Sequence, residues 1–139
     1  MGTIRFFTED ISHKLVSQTK MKQWIKSIVE AEGFTLGTVS YVLCSDEYLL
    51  QMNKQYLDHD YYTDILTFDN SESDTEIEGD IFISLERVKE NAVSESASPE
   101  EELRRVLAHG ILHLCGYDDH TAGEKEEMRK KEDYYLTLF

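Results

Sequence analysis

The apolar positions of the chain alternate between two periods, and the changes of period mark out the elements. A short alternating run predicts a first strand over 4–7, closed by Thr8, Glu9 and Asp10. A helical period follows over 14–32, with Met21, Trp24, Ile25, Ile28 and Val29 on one face and Gly33 as the stop. Trp24 reads as a core residue before it reads as a stacking platform. Strict alternation returns over 38–44, where Val39, Tyr41 and Leu43 interleave with Ser40, Val42 and Cys44. Ser45, Asp46 and Glu47 cap a helix that carries Leu49, Met52, Asn53 and Tyr56 on one side. A polar, aromatic loop over 57–62 contains His59, where a second metal site is conceivable but a solvated loop histidine is the simpler reading.

The second half repeats the alternation. Strands are expected over 63–68 and 79–84, separated by an acidic, serine-rich loop over 69–78 with little to bury, which is expected to be mobile. A helix is expected over 85–97. Ser98, Pro99 and Glu101 then supply an N-cap, a proline at the first helical position and an acid three residues after the cap. Leu103, Val106, Leu107, Gly110, Ile111 and Leu114 form the apolar stripe of that helix, and Gly116 stops it. Thr121 and Glu124 repeat the capping pattern and open a charged C-terminal helix with Met128, Tyr135 and Leu138 as its inner face. Four strands with interspersed helices, no repeat and no linker predict an α+β fold: one domain over 1–139, with a small mixed four-stranded sheet packed on several helices.

Composition narrows the function classes. Forty per cent apolar and 11 per cent aromatic residues are enough for a packed interior. No apolar run is long enough for a membrane span, and the first residues lack a signal-peptide pattern. Cys44 and Cys115 read as buried free thiols of a reducing cytosol, so a cytoplasmic location is expected. The net charge of −14 argues against a broad electrostatic grip on nucleic acid. Any such activity has to work through a local basic patch, a metal or a partner protein.

The candidate chemistry lies between His109 and His120. His109 and His113 are one helical turn apart on the same face, at the edge of the apolar stripe. Two imidazoles at that spacing bind one metal ion, and Asp119 or His120, beyond the Gly116 stop, completes a three-ligand set. Three N/O ligands leave tetrahedral Zn²⁺ an open position, the catalytic arrangement. The pair resembles half of the zinc-peptidase motif H-E-x-x-H, which suggests a zincin-like metal helix. Position 110 is glycine, however, where the peptidase carries its general-base glutamate. Cys115 sits at a wheel angle far from the pair. Asp118 is the nearest candidate for a general base or for an orienter of a histidine, and it is equally well explained as a turn residue.

Three signatures together resemble the YbeY family of ribosomal-RNA maturation factors. Thr63-Asp64-Ile65-Leu66-Thr67-Phe68 is similar to the family's T-D-V-L-S-F, and Gly79-Asp80-Ile81-Phe82-Ile83 to its G-D-I-x-I. The run from His109 to Asp118 is similar to its H-G-x-L-H-L-x-G-Y-D. The resemblance implies a zinc-dependent endoribonuclease acting on single-stranded RNA, with ribosomal RNA and the ribosomal subunit or assembly proteins as partners. The family's third histidine ligand falls, by count, on Asp119, with His120 one residue late. The family's arginine after N-x-x-Y is Leu57 here, and Lys54 is a substitute only from the cleft side. Asp64 and Asp80 read as turn chemistry at strand ends. The rival readings are an amidase or peptidase on the same open metal, and a non-catalytic assembly factor in which zinc only staples the turn to the helix.

Overall fold

The structure, a computed structural model, describes residues 2–13, 15, 17–57 and 63–139. Among them the elements run β1 (Thr3–Thr8), α1 (Gln18–Ala31), β2 (Thr35–Cys44), α2 (Asp46–Leu57), β3 (Ile65–Asp69), β4 (Glu76–Ser84), α3 (Leu85–Ser94), α4 (Pro99–Leu114) and α5 (Ala122–Leu136). The sheet has the order β1-β2-β4-β3. β1, β2 and β4 are parallel, and β3 closes one edge antiparallel to β4, so the sheet is mixed, as expected from the order of strands and helices.

The two sheet faces bury different residues because successive strand side chains point to opposite sides. Val39, Tyr41 and Leu43 of β2 and Ile81 and Ile83 of β4 face α1 and α4 and join the main core. The opposite face carries a smaller cluster of Cys44, Leu49 and Leu66, flanked by Phe68, Phe82 and Met52, under α2. Trp24 is buried, and its indole donates to the Tyr135 carbonyl at 2.8 Å, tying α1 to α5. Tyr41, fully buried, donates to the Leu107 carbonyl of α4 at 2.9 Å. These two long-range bonds anchor the central helix to the sheet and the last helix to the first.

Several boundaries differ from expectation, each for a local reason. The first helix starts at Gln18, because Ser17 sits in the left-handed region at φ 57° and offers no side-chain cap. Lys14, the expected start, lies outside the described residues, as does His59. The expected acidic loop over 69–78 shrinks to 70–75, because Ile77 is buried between outward Glu76 and Glu78 and extends β4. That connection is held by the Asn70 amide donating to the Glu78 carbonyl at 2.9 Å and the Ser71 amide to Asp69 Oδ1 at 2.8 Å. The third helix ends at Ser94, where Ser96 takes the left-handed position usually given to glycine, at φ 54°. Leu138, expected on the inner face of α5, is 56% exposed; Phe139 packs edge-on against Trp24 instead, with ring centroids 5.3 Å apart. No helix among the described residues is long and apolar enough to cross a membrane.

Candidate metal centre

The site is built on α4 and on the turn that follows it. Ser98 Oγ accepts from the Glu101 amide at 3.1 Å and fixes the start of the helix. Gly110 faces the sheet: a Cβ there would lie 2.9 Å from Ile81 Cγ2 and 3.0 Å from Ile65 Cδ1. The helix therefore lies close against β3 and β4, and position 110 has no room for a glutamate. Gly116, at φ 107°, ends the helix in a Schellman motif, with the Tyr117 amide donating to the Leu112 carbonyl at 3.1 Å and the Gly116 amide to the His113 carbonyl at 3.0 Å. This reversal sends residues 117–119 back along the histidine face.

His109 and His113 lie with ring centroids 4.7 Å apart. Asp119 sits between their outer nitrogens, with Oδ2 3.3 Å from His109 Nε2 and Oδ1 3.6 Å from His113 Nε2. One donor atom from each of the three residues falls within 4.8 Å of the others. His120 is exposed and lies outside that group. Asp118 is exposed as well, and among the described residues no hydrogen bond joins it to either histidine; its charge is felt at His113. Cys115 stands apart from the group, and burial pushes its thiol up to about 12.

Two further acids belong to the site and were not legible as such. Glu132 of α5 is 5% exposed, and its Oε2 lies 2.6 Å from His109 Nδ1. The signal was present in the sequence as an acid standing between Met128 and Tyr135 on an otherwise apolar face. Asp64 lines the same cleft, with Asn91 Nδ2 at 3.4 Å. Burial raises the Asp64 carboxyl above its ordinary value, against the pull of His109. Sequence reasoning treated Asp64 as turn chemistry, because its surroundings come from α3 and α4, far along the chain.

The two imidazoles differ electrostatically. Burial lowers the affinity of His109 for a proton, but the Glu132 bond and the nearby acids outweigh it, so its pKa is raised. His113 is lowered, first by burial and then by the charge of His109. His109 thus has a partner, Glu132, besides the face it turns to Asp119. Two imidazole nitrogens and one carboxylate oxygen form a donor set suited to a first-row divalent ion such as zinc.

Comparisons with known proteins give the family. The sequence model of the family described as endoribonuclease YbeY matches residues 6–139. The chain belongs to the YbeY family of endoribonucleases. It is 54% identical over 136 residues to the endoribonuclease YbeY of Cytophaga hutchinsonii, covering 98% of this chain and 95% of that one. It is 47% identical over 138 residues to the endoribonuclease YbeY of Christiangramia forsetii, covering 99% and 95%. The solution structure of TM1509 from Thermotoga maritima is similar at a TM-score of 0.68 and 33% identity, over 96% of this chain and 87% of that one. The YbeY resemblance read from the three motifs is therefore the family of the whole chain.

Proposed function

We propose that this chain is a zinc-dependent, single-strand-specific endoribonuclease that acts in the cytoplasm in ribosomal-RNA maturation and ribosome assembly. The observation that carries this reading is the convergence of His109, His113 and Asp119 on one point at the edge of an open cleft, in a member of the YbeY family. These three residues would hold the ion, which when bound would polarise a phosphoryl oxygen and acidify a water. His109 and His113 supply neutral nitrogen donors from a rigid helix, and Asp119 closes the set from the turn. Asp118, exposed on that turn beside Asp119, is the proposed proton acceptor.

The cleft also supplies cations for a phosphate chain. Arg105, Lys125 and Arg129 line it, whereas the family's arginine position is Leu57. Arg129 is paired with Glu95 at 3.1 Å, and Arg105 with Glu132 at 3.0 Å, so Lys125, exposed on the first turn of α5, is the more available of the three. With a net charge of −14 the chain does not steer RNA from a distance, so the ribosomal subunit or an assembly protein delivers the substrate. A peptidase is disfavoured by Gly110, which leaves no place for the motif's glutamate base.

The test is cleavage of a single-stranded RNA oligomer by the pure protein as isolated, after chelation, and after zinc is restored. Duplex RNA and a peptide substrate run alongside. The reading requires cleavage of the single strand that chelation stops and zinc restores. Intact RNA in the presence of zinc-loaded protein would instead support an assembly factor in which the metal is only structural.

A further inference from the structure

We propose that Glu132 is a positioning residue that presents Nε2 of His109 to the metal. The inference rests on the metal centre proposed above and extends it from the ligands to the group behind them.

The geometry is a chain of fixed contacts between α4 and α5. Glu132 Oε2 lies 2.6 Å from His109 Nδ1, and Glu132 Oε1 accepts from Arg105 Nη1 at 3.0 Å. Arg105 Nη2 in turn donates to Asp133 Oδ1 at 2.6 Å. Both oxygens of Glu132 are therefore committed, one to the guanidinium and one to the imidazole, and the carboxylate has no freedom to turn away. An acceptor at Nδ1 puts the ring proton there, which leaves the lone pair of Nε2 directed at Asp119, 3.3 Å away.

Burial makes a purely structural role a poor explanation. Glu132 is 5% exposed, and it shares its helix face with Met128 and Tyr135, 2% and 3% exposed. An apolar residue would fill that position without desolvating a carboxylate. Arg105 already has a second acidic partner in Asp133. What only Glu132 supplies is the acceptor at His109 Nδ1.

The experiment measures zinc affinity by competition with a chromophoric chelator, and the visible spectrum of the Co²⁺-loaded protein, for wild type, Glu132→Ala, Glu132→Gln and Met128→Ala. Met128→Ala is the packing control: it removes apolar packing from the same face of α5 and leaves the Glu132–His109 contact in place. The melting temperature of each metal-free variant reports its fold. Glu132→Ala should bind zinc roughly 10- to 100-fold more weakly and shift the Co²⁺ bands. Glu132→Gln, which keeps one acceptor oxygen for the two donors Arg105 and His109, should fall between it and wild type, and Met128→Ala should stay near wild type. The role is overturned if Glu132→Ala binds within about twofold of wild type, or if Met128→Ala loses as much affinity as Glu132→Ala. A wild-type protein that takes up no zinc removes the metal centre and this role together. A zinc-binding wild type with an equally tight Glu132→Ala removes the role alone.

Discussion

Tyr117 Oη donates to Glu32 Oε1 at 2.6 Å, joining the turn that carries Asp119 to the end of α1 across 85 positions of sequence. Glu32 also accepts from Tyr135 and, at 3.3 Å, from Lys131. One acid thus gathers α1, α5 and the ligand turn. Tyr117→Phe removes one bond to a charged acceptor, so it should cost about 1.5–3 kcal/mol of stability. It should also weaken zinc binding, because Asp119 is held less firmly. Denaturant unfolding and zinc titration of the variant check both effects; wild-type values in both would show that the turn is held by its Schellman bonds alone.

The same cluster has a pH signature. Burial raises the Glu32 carboxyl, but the hydrogen bonds from Tyr117, Tyr135 and Lys131 outweigh it, and the net pKa lies below the ordinary value of 4.5. A depressed folded-state pKa stabilises the fold at pH above the unfolded value, and that contribution is lost as pH falls through the folded one. The stability gap between wild type and Glu32→Gln should therefore be largest near neutrality and shrink once the pH drops below about 4.5. Unfolding free energies of the pair between pH 3 and pH 7 decide it; a gap that does not change with pH would contradict the assignment.

Gly110 explains why the peptidase motif is broken. Its missing Cβ is where Ile81 and Ile65 pack, and Ile81 is fully buried. Restoring the motif by Gly110→Glu should therefore not create a peptidase. It should force a charged side chain into a filled space and destabilise the fold by roughly 3 kcal/mol or more. A stable Gly110→Glu protein with peptide-hydrolysing activity would refute this account of the position.

The proposed proton acceptor, Asp118, is separable from the proposed ligands. Asp118→Asn should lower kcat on RNA by roughly 10²- to 10⁴-fold while leaving zinc bound. Asp64→Asn, on the cleft wall, is the comparison. Full activity in Asp118→Asn together with such a loss in Asp64→Asn would move the base from Asp118 to Asp64 on the cleft wall.

The features legible in the sequence were those set by local chemistry. The Ser98 cap, the Thr121 capping box and the Gly116 stop each act within a few residues, and each is present. The apolar stripes placed Trp24, Leu107 and Ile111 in the core. What escaped depends on partners brought from elsewhere. Asp64 acquires its burial only when α3 supplies Asn91 and α4 supplies His109. Glu132 looked like one more charge on a charged helix, although its place between Met128 and Tyr135 marked it as inward. Ser96 ended a helix in a conformation that its side chain does not announce. Asp119 and His120 are neighbours in sequence, and which of them meets the histidines depends on how the Schellman turn aims the chain.

That choice leads to the most direct test of the metal centre. Zinc bound per chain and single-stranded RNA cleavage are measured side by side for Asp119→Ala and His120→Ala, with His109→Ala and His113→Ala as references. Asp119→Ala should behave like the two reference variants, losing both zinc and cleavage, because two remaining ligands do not hold the ion in an open site. His120→Ala should keep both. Loss of zinc and cleavage in His120→Ala, with both intact in Asp119→Ala, would contradict the centre described here.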